Sequence, residues 1–133
     1  MGTGIPARSS GDQTVNYLRA PVTFAMGNSG IVNVGTLPAG CVVLRAYIVV
    51  TTAFNAGTNN FLKVGISGSD ASILSTVTVS TAGVIAATSV LATATATTTN
   101  PSVDTLVICT SLMAGTVATA GAGIVVVEYA PVL

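Results

Sequence analysis

The sequence predicts an all-β fold: an antiparallel β-sandwich of jelly-roll type, about eight strands, with an extended N-terminal arm. Three observations point there. From Val22 onward, apolar residues recur with a period of two, the spacing of half-buried strands. Turn-forming clusters of Gly, Pro, Asn and Ser cut this pattern into short runs, with no convincing helix between them. The chain has 133 residues, enough for one domain that buries a sizeable core without disulfides or metals.

Residues 1–20 read as an arm and residues 21–133 as the sandwich. The arm is rich in Gly, Ser and Thr, is closed by Pro21, and holds three of the eight charged residues, Arg8, Asp12 and Arg19. It reads either as a frayed terminus or as a segment that orders on a neighbouring subunit.

The first strand is expected over Val22–Met26. The turn Gly27-Asn28-Ser29-Gly30 then leads into a strand over Ile31–Val34. Leu37-Pro38-Ala39-Gly40 precedes the longest run, Cys41–Thr52 (CVVLRAYIVVTT). Strict alternation there puts Val42, Leu44, Ala46, Ile48 and Val50 on one face. Val43, Arg45, Tyr47, Val49 and Thr51 fall on the other. Arg45 marks the second face as the less buried one, because an isolated charge is costly to bury. The turn Asn55–Asn60 leads to a strand over Asn60–Ser67, with Leu62, Val64 and Ile66 on one side. Val84–Thr97 is ambiguous, alanine favouring helix and alternating threonine favouring strand; it is read as strand. Thr105–Leu112 is read with Leu106, Ile108 and Leu112 inward. Gly123–Ala130 sets Val125, Val127 and Tyr129 against Ile124, Val126 and Glu128.

Composition narrows the function. Only 6% of residues are charged, against about 25% in an ordinary soluble domain. The bases are Arg8, Arg19, Arg45 and Lys63; the acids are Asp12, Asp70, Asp104 and Glu128. Four cations and zero net charge argue against a nucleic-acid-binding face. Histidine is absent, which removes His-ligated metals and a His general base. No motif pairs the acids, and no catalytic residue, metal site or cofactor site is expected. Mean hydropathy is +0.81. The uncharged stretches Ala71–Val103 and Thr105–Val127 are long enough to span a bilayer, but their Thr, Ser and Gly content and their lack of flanking Lys or Arg argue against a membrane partner. A chain with so little surface charge tends to associate, so it is expected to work inside an assembly.

Cys41 and Cys109 are the only cysteines. They read as two buried thiols acting as small apolar residues, as an interstrand disulfide, or as a catalytic thiol, and the last lacks a histidine partner. With no signal peptide visible, reduced thiols are the default expectation.

One resemblance is carried by particular segments. Gly35–Gly40 (GTLPAG), the following CVVLRAYIVVTTAFNAGTNNFLKVGIS to Ser67, and Gly121–Tyr129 (GAGIVVVEY) together resemble small virion proteins of tailed bacteriophages. These are β-sandwich proteins that decorate or cement the capsid. The resemblance covers about half of the chain and is structural. It implies a non-enzymatic protein that binds the outside of a phage capsid and stabilises the shell across subunit joints. It also implies a virion location after assembly in the host cytoplasm, the major capsid protein as partner, and a homo-oligomer, a trimer by preference. On this reading Val43, Val49, Ile124 and Val126 face other protomers, while Arg8 and Arg19 reach acidic groups of the shell from the arm. The alternative is a tail or head fibre module that contributes to host-surface glycan binding.

Overall fold

The structure is a computed structural model that describes residues 15–86 and 100–131. Its strands are β1 (Asn16–Thr23), β2 (Ile31–Leu37), β3 (Cys41–Thr52), β4 (Asn59–Ile66), β5 (Ser69–Thr78), β6 (Gly83–Ala86), β7 (Thr105–Ala114) and β8 (Ala122–Pro131). Among the described residues the only helical element is a single 3-10 turn, Phe24–Met26.

The strands form two four-stranded antiparallel sheets, ordered β1-β8-β3-β6 and β2-β7-β4-β5, called here the β1 sheet and the β2 sheet. The pairings nest, with β1 on β8, β2 on β7, β3 on β6 and β4 on β5. This is the nested pairing that a jelly-roll winding requires, because it folds one long antiparallel ribbon over itself. Consecutive strands therefore alternate between sheets. The exception is β4–β5, a hairpin closed by Ser67 and Gly68, where Gly68 takes φ +86°, a region glycine enters without steric cost.

The core lies between the sheets. Val22, Leu37, Val43, Ile48, Leu62, Val64, Val107, Val125 and Val127 are buried there. Phe54 plugs one end, its N–H donating to the carbonyl of Val79 (3.0 Å). At that end Asn55 ties two loops together. Its Oδ1 accepts from the N–H groups of Thr119 (2.9 Å) and Ala120 (3.0 Å), and its Nδ2 donates to Thr119 Oγ1 (3.0 Å). Asn60 closes its own turn in both directions, accepting from Ala56 N–H (2.7 Å) and donating to Ala56 O (2.9 Å).

Several expectations need correction. The first strand starts at Asn16, inside the stretch assigned to the arm, and Phe24–Met26 leaves it as a 3-10 turn. Arg8 and the rest of residues 1–14 lie outside the described residues, as do residues 87–97 of the ambiguous Val84–Thr97 segment. Val43 is fully buried and faces the core, contrary to the outward placement. The reason is a register shift between Val43 and Arg45. Those two residues pair with Tyr129 and Glu128, adjacent on β8, so Leu44 is an extra residue and the alternation slips by one. Before the bulge the odd residues point inward; after it the even ones do. Leu106, Ile108 and Leu112 lie on the outward side of β7, and its inward set is Val107, Cys109, Ser111 and Met113. Both phases of β7 are apolar, so the strand's own pattern did not choose between them.

Candidate functional site

The outward face of the β1 sheet is built from cross-strand rows. One row runs Pro21–Ile124–Val49–Val84 across β1, β8, β3 and β6. The next runs Arg19–Val126–Tyr47, and the third Tyr17–Glu128–Arg45. Antiparallel register makes such residues direct neighbours on one face. All of these side chains except those of Pro21 and Val84 line a shallow groove of about 480 Å³.

Four residues expected to make protomer or shell contacts meet here: Arg19, Val49, Ile124 and Val126 all line the groove. Val43 does not, because of the bulge. Arg19 reaches the face from a paired strand. The residues that periodicity overlooked are Tyr17, hidden in a segment read as arm, and Val84, at the start of a segment of ambiguous period. Tyr17 and Val84 are exposed large side chains on this face.

The electrostatics are sparse. Arg45 Nε donates to Glu128 Oε2 across β3 and β8, and the Arg45 guanidinium sits 5.6 Å from the Tyr47 ring centroid. The bond to Glu128, then its charge, holds the Arg45 pKa above the ordinary guanidinium value. A second ion pair, Lys63 Nζ to Asp70 Oδ2 (2.8 Å), lies on the other sheet. Among the described residues these two pairs leave one cation and one anion without an ionic partner, Arg19 and Asp104.

The thiols offer no reactive centre. Cys41 and Cys109 are both buried and unlinked. Burial raises both pKa values, that of Cys109 to about 12. At neutral pH each is a thiol, the inert form. Among the described residues no three His, Cys, Asp or Glu side chains gather as a metal site would need. No described helix is long and apolar enough to cross a membrane. What the face can do chemically is pack and hydrogen-bond.

No protein-family profile matches the chain, and no curated protein matches it in sequence. Two solved structures share its fold. One is a chain of the acidic stable capsid structure of Helicobacter pylori bacteriophage KHP30, with a TM-score of 0.62 over 86% of this chain and 86% of that one, at 16% identity. The other is a chain of the cyanophage Pam1 capsid asymmetric unit, with a TM-score of 0.51 over 89% of this chain and 84% of that one, at 24% identity. At these identities the likeness establishes a common fold.

Proposed function

We propose that this chain is a structural virion protein without enzymatic activity, one that binds the outside of a phage capsid and cements the shell across subunit joints. The observation that carries the reading is the open outward face of the β1 sheet. In a chain with 6% charged residues, the described residues leave uncovered there a groove in which Val49, Ile124, Val126, Tyr17 and Tyr47 stand beside Arg19 and the Arg45–Glu128 pair. Uncovered apolar surface of that kind marks contact sites. Both fold neighbours come from phage capsids, which supports the same reading. Cementing needs no chemistry; buried interface area resists the outward pressure on the shell, and obligate interfaces are large and apolar.

In this reading Val49, Ile124, Val126 and Arg19 face neighbouring protomers of a homotrimer, and residues 1–14, with Arg8, are assigned to the major capsid protein. The protein then belongs on the capsid surface, having assembled in the host cytoplasm.

A second reading, a fibre module that binds host glycans, draws on one observation: Tyr17 and Tyr47 share the groove with the Arg45–Glu128 pair. Copy number separates the two. Quantitative mass spectrometry of purified virions should find this chain at copies comparable to the major capsid protein. Tens of copies or fewer would favour the fibre module, and absence from virions would sink both. Deleting residues 1–14, stopping short of the β1 pairing that starts at Asn16, should leave a folded protein that no longer binds capsids.

A further inference from the structure

One segment complements the groove. The connection leading into β7 and the first residues of β7 carry three exposed side chains within four positions: Val103 (66% exposed), Asp104 and Leu106 (41% exposed). It is a short ridge with an acid between two apolar residues. Hydrogen bonds to neighbouring segments hold it in place. Asp104 Oδ1 accepts from Ala39 N–H (2.9 Å), Pro101 O accepts from Gly40 N–H (2.8 Å), and Asn100 Nδ2 donates to Cys41 O (2.8 Å). Thr105 Oγ1 donates to Val103 O (2.8 Å). A ridge ordered in advance loses little conformational entropy on docking.

The groove has the opposite arrangement. Arg19 lies beside Val126, with the apolar row of Ile124 and Val49 on one side and the Tyr17–Glu128–Arg45 row on the other. Glu128 is engaged by Arg45, so Arg19 is the groove's excess charge. Arg19 and Asp104 are the described cation and anion left without ionic partners, and they do not pair within the chain. The ridge leads into the β2 sheet, whereas the groove opens on the outward side of the β1 sheet. A second copy brings them together.

We infer that the groove of one copy receives the Val103–Leu106 ridge of another, with Asp104 of the ridge paired to Arg19 of the groove and Val103 and Leu106 packed against Ile124, Val126 and Val49. The inference rests on the reading of this face as a protomer contact and names what fills it. Every copy carries both groove and ridge, so the contact is head-to-tail and closes into a ring when the rotation between copies divides the circle. The trimer of the proposed function is one such ring.

The test uses the purified full chain and sedimentation velocity over a concentration series, with circular dichroism to check folding. The wild type should self-associate, and less tightly in 0.5 M than in about 0.05 M NaCl, as a partly exposed ion pair is screened by salt. Arg19→Asp and Asp104→Arg should each weaken association by about tenfold or more while the fold is kept, since each sets like charges face to face. The double exchange, Arg19→Asp with Asp104→Arg, should recover most of the loss. A wild type that stays monomeric, single variants that associate as the wild type does, or a double variant no better than the singles would each overturn the assignment. If Asp104→Arg fails to fold, Asp104→Asn keeps a side-chain oxygen for the Ala39 N–H and removes only the charge; it should weaken association several-fold, and unchanged association would overturn the pairing. These outcomes are independent of virion copy number, so this inference and the proposed function fail separately.

Discussion

The outward faces of the two sheets differ in how they are covered. On the β2 sheet the chain covers part of itself, around Gly65 and Ile108, and leaves Ile31 and Leu106 exposed. The hairpin end at Ser69–Ser72 folds back over Gly65, so closely that a Cβ there would lie 2.1 Å from Ser69 O and 2.6 Å from the carbonyl carbon of Asp70. That fold-back places Asp70 on Lys63, and it leaves Ile108 buried although it points away from the core. On the β1 sheet no such flap exists among the described residues, and the rows from Tyr17 to Val84 stand open. The two faces are similar in composition, each having apolar side chains and one ion pair. Gly65 leaves the room that the fold-back occupies. The fold-back closes the face over Gly65 and contributes to the stability of one chain; on the β1 sheet the described residues supply no such cover.

The largest effect should come from breaking the closed face. Gly65→Val drives a side chain into backbone atoms that cannot rotate away, so we expect a loss of about 3 kcal/mol or more, read as a lowered denaturation midpoint. A stability equal to the wild type would mean that the flap is not held against the sheet. The shared core comes next. Cys109 is neutral in the folded state up to about pH 12, whereas an exposed thiol ionises near 8.5. A raised folded-state pKa stabilises fully below the unfolded value, and that contribution is lost as pH rises toward the folded one. Stability should therefore fall by roughly 2–3 kcal/mol between pH 8 and pH 11, and Cys109→Ala should show a shallower fall. At pH 8 both thiols should resist alkylation until the protein is unfolded, which mass spectrometry reads directly.

Two valines on one strand sharpen the contrast between core and open face. Val43→Ala should cost about 2 kcal/mol in denaturant unfolding, from lost burial plus a cavity. Val49→Ala, past the Leu44 bulge and on the groove, should cost under about 0.5 kcal/mol in the isolated chain and show its effect in association. Equal costs would mean that Leu44 is not the extra residue. A small change should also follow Asp70→Asn. The ion pair it removes is partly exposed, and we expect under about 1 kcal/mol.

Much of this was legible in the residues. The boundaries of Cys41–Thr52 match β3, and Val125, Val127, Leu62 and Val64 face the core as their alternation required. Period-two patterning suffices where one phase is apolar and the other polar, because a slip would then expose the whole apolar set. Besides the 3-10 turn at Phe24–Met26, it failed in three places with an identifiable reason. At Val43 an extra residue shifted the phase, and a bulge has no mark in the sequence when every candidate residue is apolar. At Leu106 and Ile108 both phases are apolar, and the neighbours β2 and β4 chose between them. At Tyr17–Arg19 polar neighbours and the nearby Pro21 concealed an edge strand whose pairing depends on β8, more than 100 residues away.

The sequence by itself determined the all-β class, the single sandwich, the absence of histidine chemistry and the scarcity of charge, since these follow from composition and from local alternation. Only the tertiary structure decided which apolar side chains became core, where the Ser69–Ser72 fold-back covered the outer surface, and that Arg19 would share a groove with Val49, Ile124 and Val126. The physical reason is that burial is a property of pairs of strands: a residue's own neighbours in the chain set its phase, but strands that meet it from far along the chain determine which phase is inside.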